Sequence, residues 1–287
     1  MRYRFIDDNR SAFGVERMCR ILRISRSGYY GWRDRDPSER KLRHERLLPE
    51  IKRVFGNSRQ TYGSPRVFDS LKAQGHRCGR HQVAALMRQN GITPKRRKKF
   101  KTTTDSDHNY PIAPNLVKRV FEAELLNRLW TSDITYIWTS EGWLYLAVVL
   151  DVCSRRIVGW GMSQRLQEEL VVRAIKQALA QRQVAEGLIF HSDQGSQFAS
   201  DACQKLLDEN HIRPSMSRKG DCYDNAISES FFGTLKRELV YRDKFQTREE
   251  AKLKIFDYIE VFYNRQRKHS SINYQSPVDF EKSKQLS

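Results

Sequence analysis

Residues 129–163 read LWTSDITYIWTSEGWLYLAVVLDVCSRRIVGWGMS. LWTSDITYIW and WLYLAVVLD are rich in β-branched and aromatic residues and flank a turn at Ser140-Glu141-Gly142, and RIVGWGMS follows closely. This spacing predicts three strands in meander order. Downstream, the pattern predicts an amphipathic helix near 166–182, a short apolar strand GLIF, a helix near 199–210, a brief strand around IRPSM and a helix beginning at Asp224. That order describes an α/β fold, a mixed sheet flanked by helices. A last amphipathic helix, EEAKLKIFDYIEVFYN, precedes the basic stretch RQRKHSS.

Upstream the chain is helical and basic. Residues 15–33, VERMCRILRISRSGYYGWR, fit a short helix, a turn near Ile24-Ser25 and a second helix starting at Arg26-Ser27-Gly28, the grammar of a helix-turn-helix. A second such unit has Val67 and Leu71, then Val83, Leu86 and Met87, at helical spacing, with Gly75 between the helices and Gly91 closing them. PKRRKKFK and the polar run after it read as a linker. Of the net charge of +18, most sits here: 27 basic and 11 acidic residues fall in 1–110, against 25 and 23 in 111–287. With no long apolar run to enter a membrane, the partner implied for the basic block is nucleic acid. The five cysteines are scattered without a CxxC pair, which argues against a structural zinc site. MRYRFIDDNRSAF lacks the apolar segment of a signal peptide, so a cytosolic location is expected.

Three carboxylates stand out. Asp133 falls mid-strand, where aspartate is disfavoured, on the face shared by Thr131 and Thr135. Asp193, in IFHSDQGSQF, lies just past the carboxyl end of an apolar strand, where open α/β sheets place ligands. In KGDCYDNAISESFFGTLKRELVYRDKF, residues 219–245, the apolar stripe is Ile227, Phe231, Leu235 and Leu239, and Glu229 lies well off it. Asn225, Gly233 and Lys236 lie within roughly 40° of Glu229 on the helical wheel, with Lys236 two turns on at about 10 Å. Singly, each acid also fits a plain structural part: a turn or N-cap aspartate, a hairpin support, a solvated glutamate beside a surface lysine. Together, three like charges at close range stay ionised only around a cation. Oxygen donors select Mg²⁺ or Mn²⁺ over zinc, and two such ions serve in-line attack on a phosphodiester.

Residues 194–228 number 35, the DD35E spacing of transposases and retroviral integrases. WTSDITY, HSDQGSQF and YDNAISESFFGTLKRE resemble the three blocks of insertion-sequence transposases of the IS-three family. The resemblance extends to GWLYLAVVLDVCSRRIVGW, YNRQRKHSSINYQSPVDFE, ILRISRSGYYGW and YGSPRVFDSLKAQG, nearly the whole chain. It implies an RNase H-like fold, with Asp133, Asp193 and Glu229 as the metal-binding catalytic triad and Lys236 as its basic partner. Two Mg²⁺ ions per site, replaceable by Mn²⁺, are implied as cofactors. The implied activity is cleavage at terminal inverted repeats to free a 3′ hydroxyl, then strand transfer to target DNA, without a covalent protein intermediate. The chain resembles the second-reading-frame product. A first-frame partner or fusion, carrying a leucine zipper and an end-recognising helix-turn-helix, and a homo-oligomer on DNA in the bacterial cytoplasm are implied with it. The zinc module of retroviral integrases has no counterpart, since Cys19 and Cys78 stand 58 residues apart.

The expected division is a helical DNA-binding region at 1–94, a basic linker at 95–125, a catalytic core at 126–240 and a C-terminal helix with a basic tail at 241–287. Arg23, Arg26, Arg66, Arg80, Lys95, Arg96, Arg97, Lys98, Lys99, Asn225 and Lys236 are the expected DNA contacts. Two other readings stand beside the transposase: a DNA-binding regulator that does not cut, and a stand-alone nuclease of the same fold. Asp151, which ends the second strand, is expected to pair with Arg155 or Arg156. The adjacent His191, Ser192 and Asp193 cannot form a hydrogen-bonded nucleophilic relay.

Overall fold

Five strands, β1 (Leu129–Thr139), β2 (Gly142–Asp151), β3 (Ile157–Ser163), β4 (Ile189–Ser192) and β5 (Arg213–Met216), form one mixed sheet in the order β3-β2-β1-β4-β5. The computed structural model describes residues 1–94, 110–117, 123–184, 186–217 and 226–285. β1, β2 and β3 are the expected antiparallel meander, while β4 joins β1, and β5 joins β4, in parallel. Alternation sorts the two faces. Ile137 of β1 and Leu144, Leu146, Val148 and Leu150 of β2 face a cluster with Ile227, Phe231 and Leu235 of one helix (Ala226–Leu235) and Ile255 and Ile259 of the C-terminal helical run. Trp130, Ala147 and Val149 point the other way, onto Leu170, Val171, Ala174, Ile175 and Ala178 of the helix Glu168–Gln181. Burial of each such large side chain contributes about 1.5–3 kcal/mol. That last helix lies directly on β3, because a Cβ at Gly159 would sit 2.1 Å from the Ala174 carbonyl oxygen and one at Gly161 2.6 Å from that of Leu170.

The helices number α1 (Arg2–Asn9), α2 (Val15–Ile21), α3 (Arg26–Arg33), α4 (Glu39–Asn57), α5 (Ser64–Ala73), α6 (Arg80–Gln89), α7 (Glu168–Gln181), α8 (Ser196–Ala199), α9 (Asp201–Glu209), α10 (Ala226–Leu235), α11 (Arg248–Phe256) and α12 (Pro277–Gln285). α10 and α11 each run on into a π-helical segment, Lys236–Val240 and Asp257–Tyr263. The helical head holds two cores. Ile6, Met18, Cys19 and Tyr29 make a small one inside α1–α3, where Ser25 caps α3 by accepting from the Gly28 amide at 3.0 Å. Ile51, Val54, Val67, Leu71, Val83, Leu86 and Met87 of α4–α6 instead belong to the cluster that underlies the sheet.

The joint between α4–α6 and the core is polar at its rim. Tyr62 donates to the Gln266 carbonyl (3.2 Å) and accepts from the Lys268 amide (2.8 Å), Arg59 pairs with Asp257 at 2.6 Å, and Lys268 with Asp69 at 2.5 Å. The stretch read from sequence as a basic tail is therefore packed, and it ends in α12, whose buried Glu281 binds Arg156 (2.6 Å) and Arg182 (2.5 Å). Asp151 differs from expectation. Its buried carboxylate accepts from the Asn127 amide (2.7 Å) and from the Ser154 amide (2.9 Å) and hydroxyl (3.1 Å), bonds that hold the β2–β3 turn. Arg156 pairs with Glu281 instead, because Asp151 lies inside the turn and its lone pairs are already taken by the turn's own donors. Among the described residues, no helix is long and apolar enough to cross a membrane.

Candidate active site

The β1–β4 ladder pairs Leu129, Trp130 and Thr131 with Ile189, Phe190 and His191 and then stops. Two residues further along the two strands come Asp133 and Asp193, which the same parallel register sets level with one another. Among the described residues β1 has no further strand partner on this side beyond Thr131. Asp133 lies opposite Val148 on the face that α10 covers, and its Oδ1 accepts from the Ile134 amide at 2.7 Å. Asp193 leaves the strand in a tight turn in which its Oδ1 accepts from the Gly195 amide at 3.0 Å. A Cβ at Gly195 would lie 3.0 Å from that same oxygen, so glycine lets the turn close.

Glu229 arrives on α10. Ile227, Phe231 and Leu235 bury one stripe of that helix against the sheet, and Ser228 donates to Thr131 Oγ1 at 2.9 Å in a buried bond. Thr131 precedes Asp133 by two residues on one face, and Ser228 immediately precedes Glu229. The bond ties α10 to β1 one residue before Glu229 and two before Asp133. Lys236 follows at the point where α10 becomes π-helical and the Tyr241 amide bonds the Lys236 carbonyl at 2.8 Å, and its Nζ lies 5.7 Å from the centre of the Tyr136 ring.

The electrostatics tie these groups together. The Asp133 carboxyl is held well above the usual range, first by desolvation, then by the charge of Asp193 and then by that of Glu229, against the Ile134 amide and the Lys236 ammonium. Partial desolvation pushes Glu229 up as well. Desolvation pulls Lys236 down, against the attraction of Asp133. Asp193 and Glu229 thus both oppose the charging of Asp133, and the Lys236 ammonium offsets them only in part. Among the described residues, no three His, Cys, Asp or Glu side chains are gathered closely enough to grip an ion as they stand. The donor set nevertheless suits one: all the ligating atoms would be carboxylate oxygens, and a hard divalent cation among them would relieve the strain on Asp133.

The remaining sequence-based candidates lie elsewhere or outside the described residues. Asn225 and the run Lys95, Arg96, Arg97, Lys98 and Lys99 fall outside them. Arg23, Arg26 and Arg80 are exposed on the helical head, Arg23 in the left-handed turn residue after α2 (φ 51°) and Arg26 3.5 Å from Glu16. Arg66 is half-buried over the Tyr62 ring at the joint. What the sequence reasoning missed is the anchor of the α10 run. Glu238 accepts from Arg267 through both carboxylate oxygens, Nη2 to Oε1 and Nε to Oε2 at 2.8 Å each, and from the Tyr258 hydroxyl at 2.8 Å. Its only sequence signal is a glutamate among apolar neighbours on a helix that already has a stripe.

A mixed sheet with one helix laid over the free end of its central strand is the architecture of an integrase-type catalytic core. Residues 124–222 and 229–285 both match the family described as "Integrase core domain", and residues 43–100 match "HTH-like domain". The chain is 41% identical over 283 residues to "Transposase InsF for insertion sequence IS3A" of Escherichia coli (strain K12), covering 98% of each. It is also 44% identical over 263 residues to "Insertion element IS600 uncharacterized 31 kDa protein" of Shigella sonnei, covering 92% of this chain and 97% of the relative. It belongs to the IS-three family of insertion-sequence transposases. Among solved structures, the magnesium-bound HTLV-2 integrase catalytic core domain in its trimeric form aligns with a TM-score of 0.43 at 16% identity, over 55% of this chain and 99% of that one.

Proposed function

We propose that this transposase cuts DNA at the ends of its insertion sequence and joins the freed 3′ hydroxyl to target DNA, with Asp133, Asp193 and Glu229 as the catalytic carboxylates and ligands of two Mg²⁺ ions, for which Mn²⁺ substitutes. The observation that carries this reading is the field at Asp133, to which Asp193 and Glu229 both add and which Lys236 only partly offsets. When bound, the ions activate the attacking oxygen and stabilise the leaving one. The chain supplies position. Asp133 stands on a central strand, Asp193 in a turn closed on its own side chain, and Glu229 on a helix bonded to β1, so each carboxylate is carried by an ordered element and their side chains close on the ions when these bind. Lys236 presents a cation to the phosphate beside the cut.

Arg23, Arg26 and Arg80 on the head, Arg66 at the joint, Asn225, and the run Lys95, Arg96, Arg97, Lys98 and Lys99 are the proposed DNA contacts; at each, charge or amide chemistry suits phosphate. The proposed assembly is a homo-oligomer on the terminal repeats, joined by the first-frame product, in the bacterial cytoplasm at the nucleoid.

The test is Mg²⁺-dependent cleavage and joining of a labelled duplex carrying the terminal repeat, with the native chain beside Glu229→Gln. Joining by the native chain that vanishes in the variant, with DNA binding retained, is the expected result. Binding by both without cutting by either, even when a first-frame fusion is supplied, would leave the regulator as the correct reading.

A further inference from the structure

At the joint between α5 and the core, Arg66 and Arg155 form no ion pair with a carboxylate among the described residues, and Glu238 and Asp151 act on them only at a distance. Asn264 bonds both the amide and the carbonyl of Ile157 at 3.0 Å, two residues past Arg155 in the β2–β3 turn. Tyr62, four residues before Arg66, grips Gln266 and Lys268. Residues 264–269 are therefore clasped between the turn that carries Arg155 and the helix that carries Arg66, with Arg267 in between. Every acid nearby is committed: Glu238 to Arg267, Asp69 to Lys268, Asp257 to Arg59, Glu281 to Arg156 and Arg182, and Asp151 to the donors of Asn127 and Ser154. Among the described residues, the guanidinium groups of Arg66 and Arg155 make no hydrogen bond or ion pair, their backbone amides alone being bonded, to Gly63 and Asp151, and Arg66 Nε is wholly buried without a partner. Arg66 only stacks over the Tyr62 ring, at 5.8 Å.

We infer that Arg66 and Arg155, reinforced by the field of Arg267, form a binding site for a phosphate-type oxyanion, and that its occupant is a backbone phosphate of bound DNA. This rests on the DNA-processing reading above. Guanidinium groups left without acids in a half-buried place are costly to fold around unless an anion joins them, and their planar forks match a tetrahedral oxyanion. Desolvation pulls both Arg66 and Arg155 below the usual arginine range, and His269 beside them is kept neutral by burial and by Arg267, as expected for a pocket short of negative charge. Both arginines keep part of their surface exposed, so an anion has a way in.

Two measurements on the full chain test this, without divalent ions and so independently of any cutting. The first is the thermal midpoint in inorganic phosphate against chloride at equal ionic strength, for the native chain, Arg66→Gln and Arg155→Gln. The second is duplex affinity over a salt series for the same three proteins. We expect phosphate to raise the native midpoint above its value in chloride, that gain to disappear in both variants, and each variant to lower the log–log salt slope by about one. Arg155→Lys and Arg66→Lys, which keep the charge, should keep the slope, and this separates loss of a phosphate contact from misfolding. If the phosphate gain is lost in the variants while their slopes match the native one, the oxyanion site stands and its source is free phosphate rather than DNA. If phosphate stabilises the native chain no more than chloride and the slopes are equal, the site does not exist. A failure of the Glu229→Gln cleavage test would leave these outcomes untouched.

Discussion

Glu229 and Glu238 ride on one continuous helical run and are treated in opposite ways. Glu238 is half-buried, and its oxygens take three donors, two from Arg267 and one from Tyr258. Glu229, two and a half turns earlier, is exposed and makes no hydrogen bond or ion pair among the described residues, while its charge adds to that of Asp193 at Asp133. The first arrangement holds the chain together and the second works against it. A fold keeps an aspartate whose ionisation two neighbouring acids oppose only where something other than stability is being served. Substitutions at the two places should accordingly move activity and stability in different directions.

The largest effect is expected at the open site. Asp133→Asn or Glu229→Gln should lower Mg²⁺-dependent cleavage by at least three powers of ten, since several kcal/mol of charge stabilisation at the reacting phosphate go with the ligand. Neither should destabilise the fold. Asp133 is costly to ionise in the folded chain, so Asp133→Asn should leave the thermal midpoint unchanged or higher at neutral pH. A clear drop in the midpoint would make these carboxylates structural. Glu238→Gln reverses the pattern: it leaves Arg267 buried without its anion and should cost about 3–5 kcal/mol in denaturant unfolding. If unfolding is unmoved while cleavage collapses, the contrast between the two glutamates fails.

A pH titration sharpens the same contrast. His269 is buried against Arg267, Nδ1 and Nε2 lying 3.4 and 3.3 Å from Nη1, and burial and the neighbouring arginines pull its pKa down to about 2. The unfolded chain binds a proton there below about pH 6.5 and the folded chain does not. Stability is therefore lost as pH falls from about 6.5 towards 2, at about 1.4 kcal/mol per unit from this group. His269→Gln should remove that share of the slope in acid unfolding curves; an unchanged slope would mean that the ring is protonated in the folded chain.

How far the sequence revealed this depended on what kind of order each part has. The sheet was legible because its strands alternate or run apolar in short blocks between turn residues, and the stripe of α10 because Ile227, Phe231 and Leu235 keep helical spacing. The three acids could be singled out because each breaks a local preference: an aspartate within a strand, one past a strand end, a glutamate off a stripe. α4 was not legible. Its buried Leu47, Ile51 and Val54 lie among nine charged residues with Pro49 inside the helix, which blurs the period. The Glu238–Arg267 pair spans 29 residues and leaves no local trace, since what joins the two is the packing of α10 against the C-terminal run. Asp151 was paired in expectation with Arg155 or Arg156 on nearness in sequence alone, whereas the Ser154 amide and hydroxyl and the Asn127 amide satisfy the aspartate.

The smallest predicted effect is at the peg between α10 and β1. Ser228→Ala removes one buried hydroxyl bond to Thr131 and should cost about 1 kcal/mol of stability, with the Thr131 oxygen left without its donor. If the bond only adds stability, cleavage measured well below the unfolding transition should match the native rate. If it sets the height of Glu229 over Asp133, the rate should fall about tenfold or more while DNA affinity stays constant, because geometry at the carboxylates matters to the reaction and not to binding. Ser228→Thr keeps the hydroxyl and should recover most of the rate, provided that its methyl group fits against β1. The second outcome, with recovery, would show that the stabilising and the reactive parts of this helix meet at adjacent residues, Ser228 fixing the helix and Glu229 using the place so fixed.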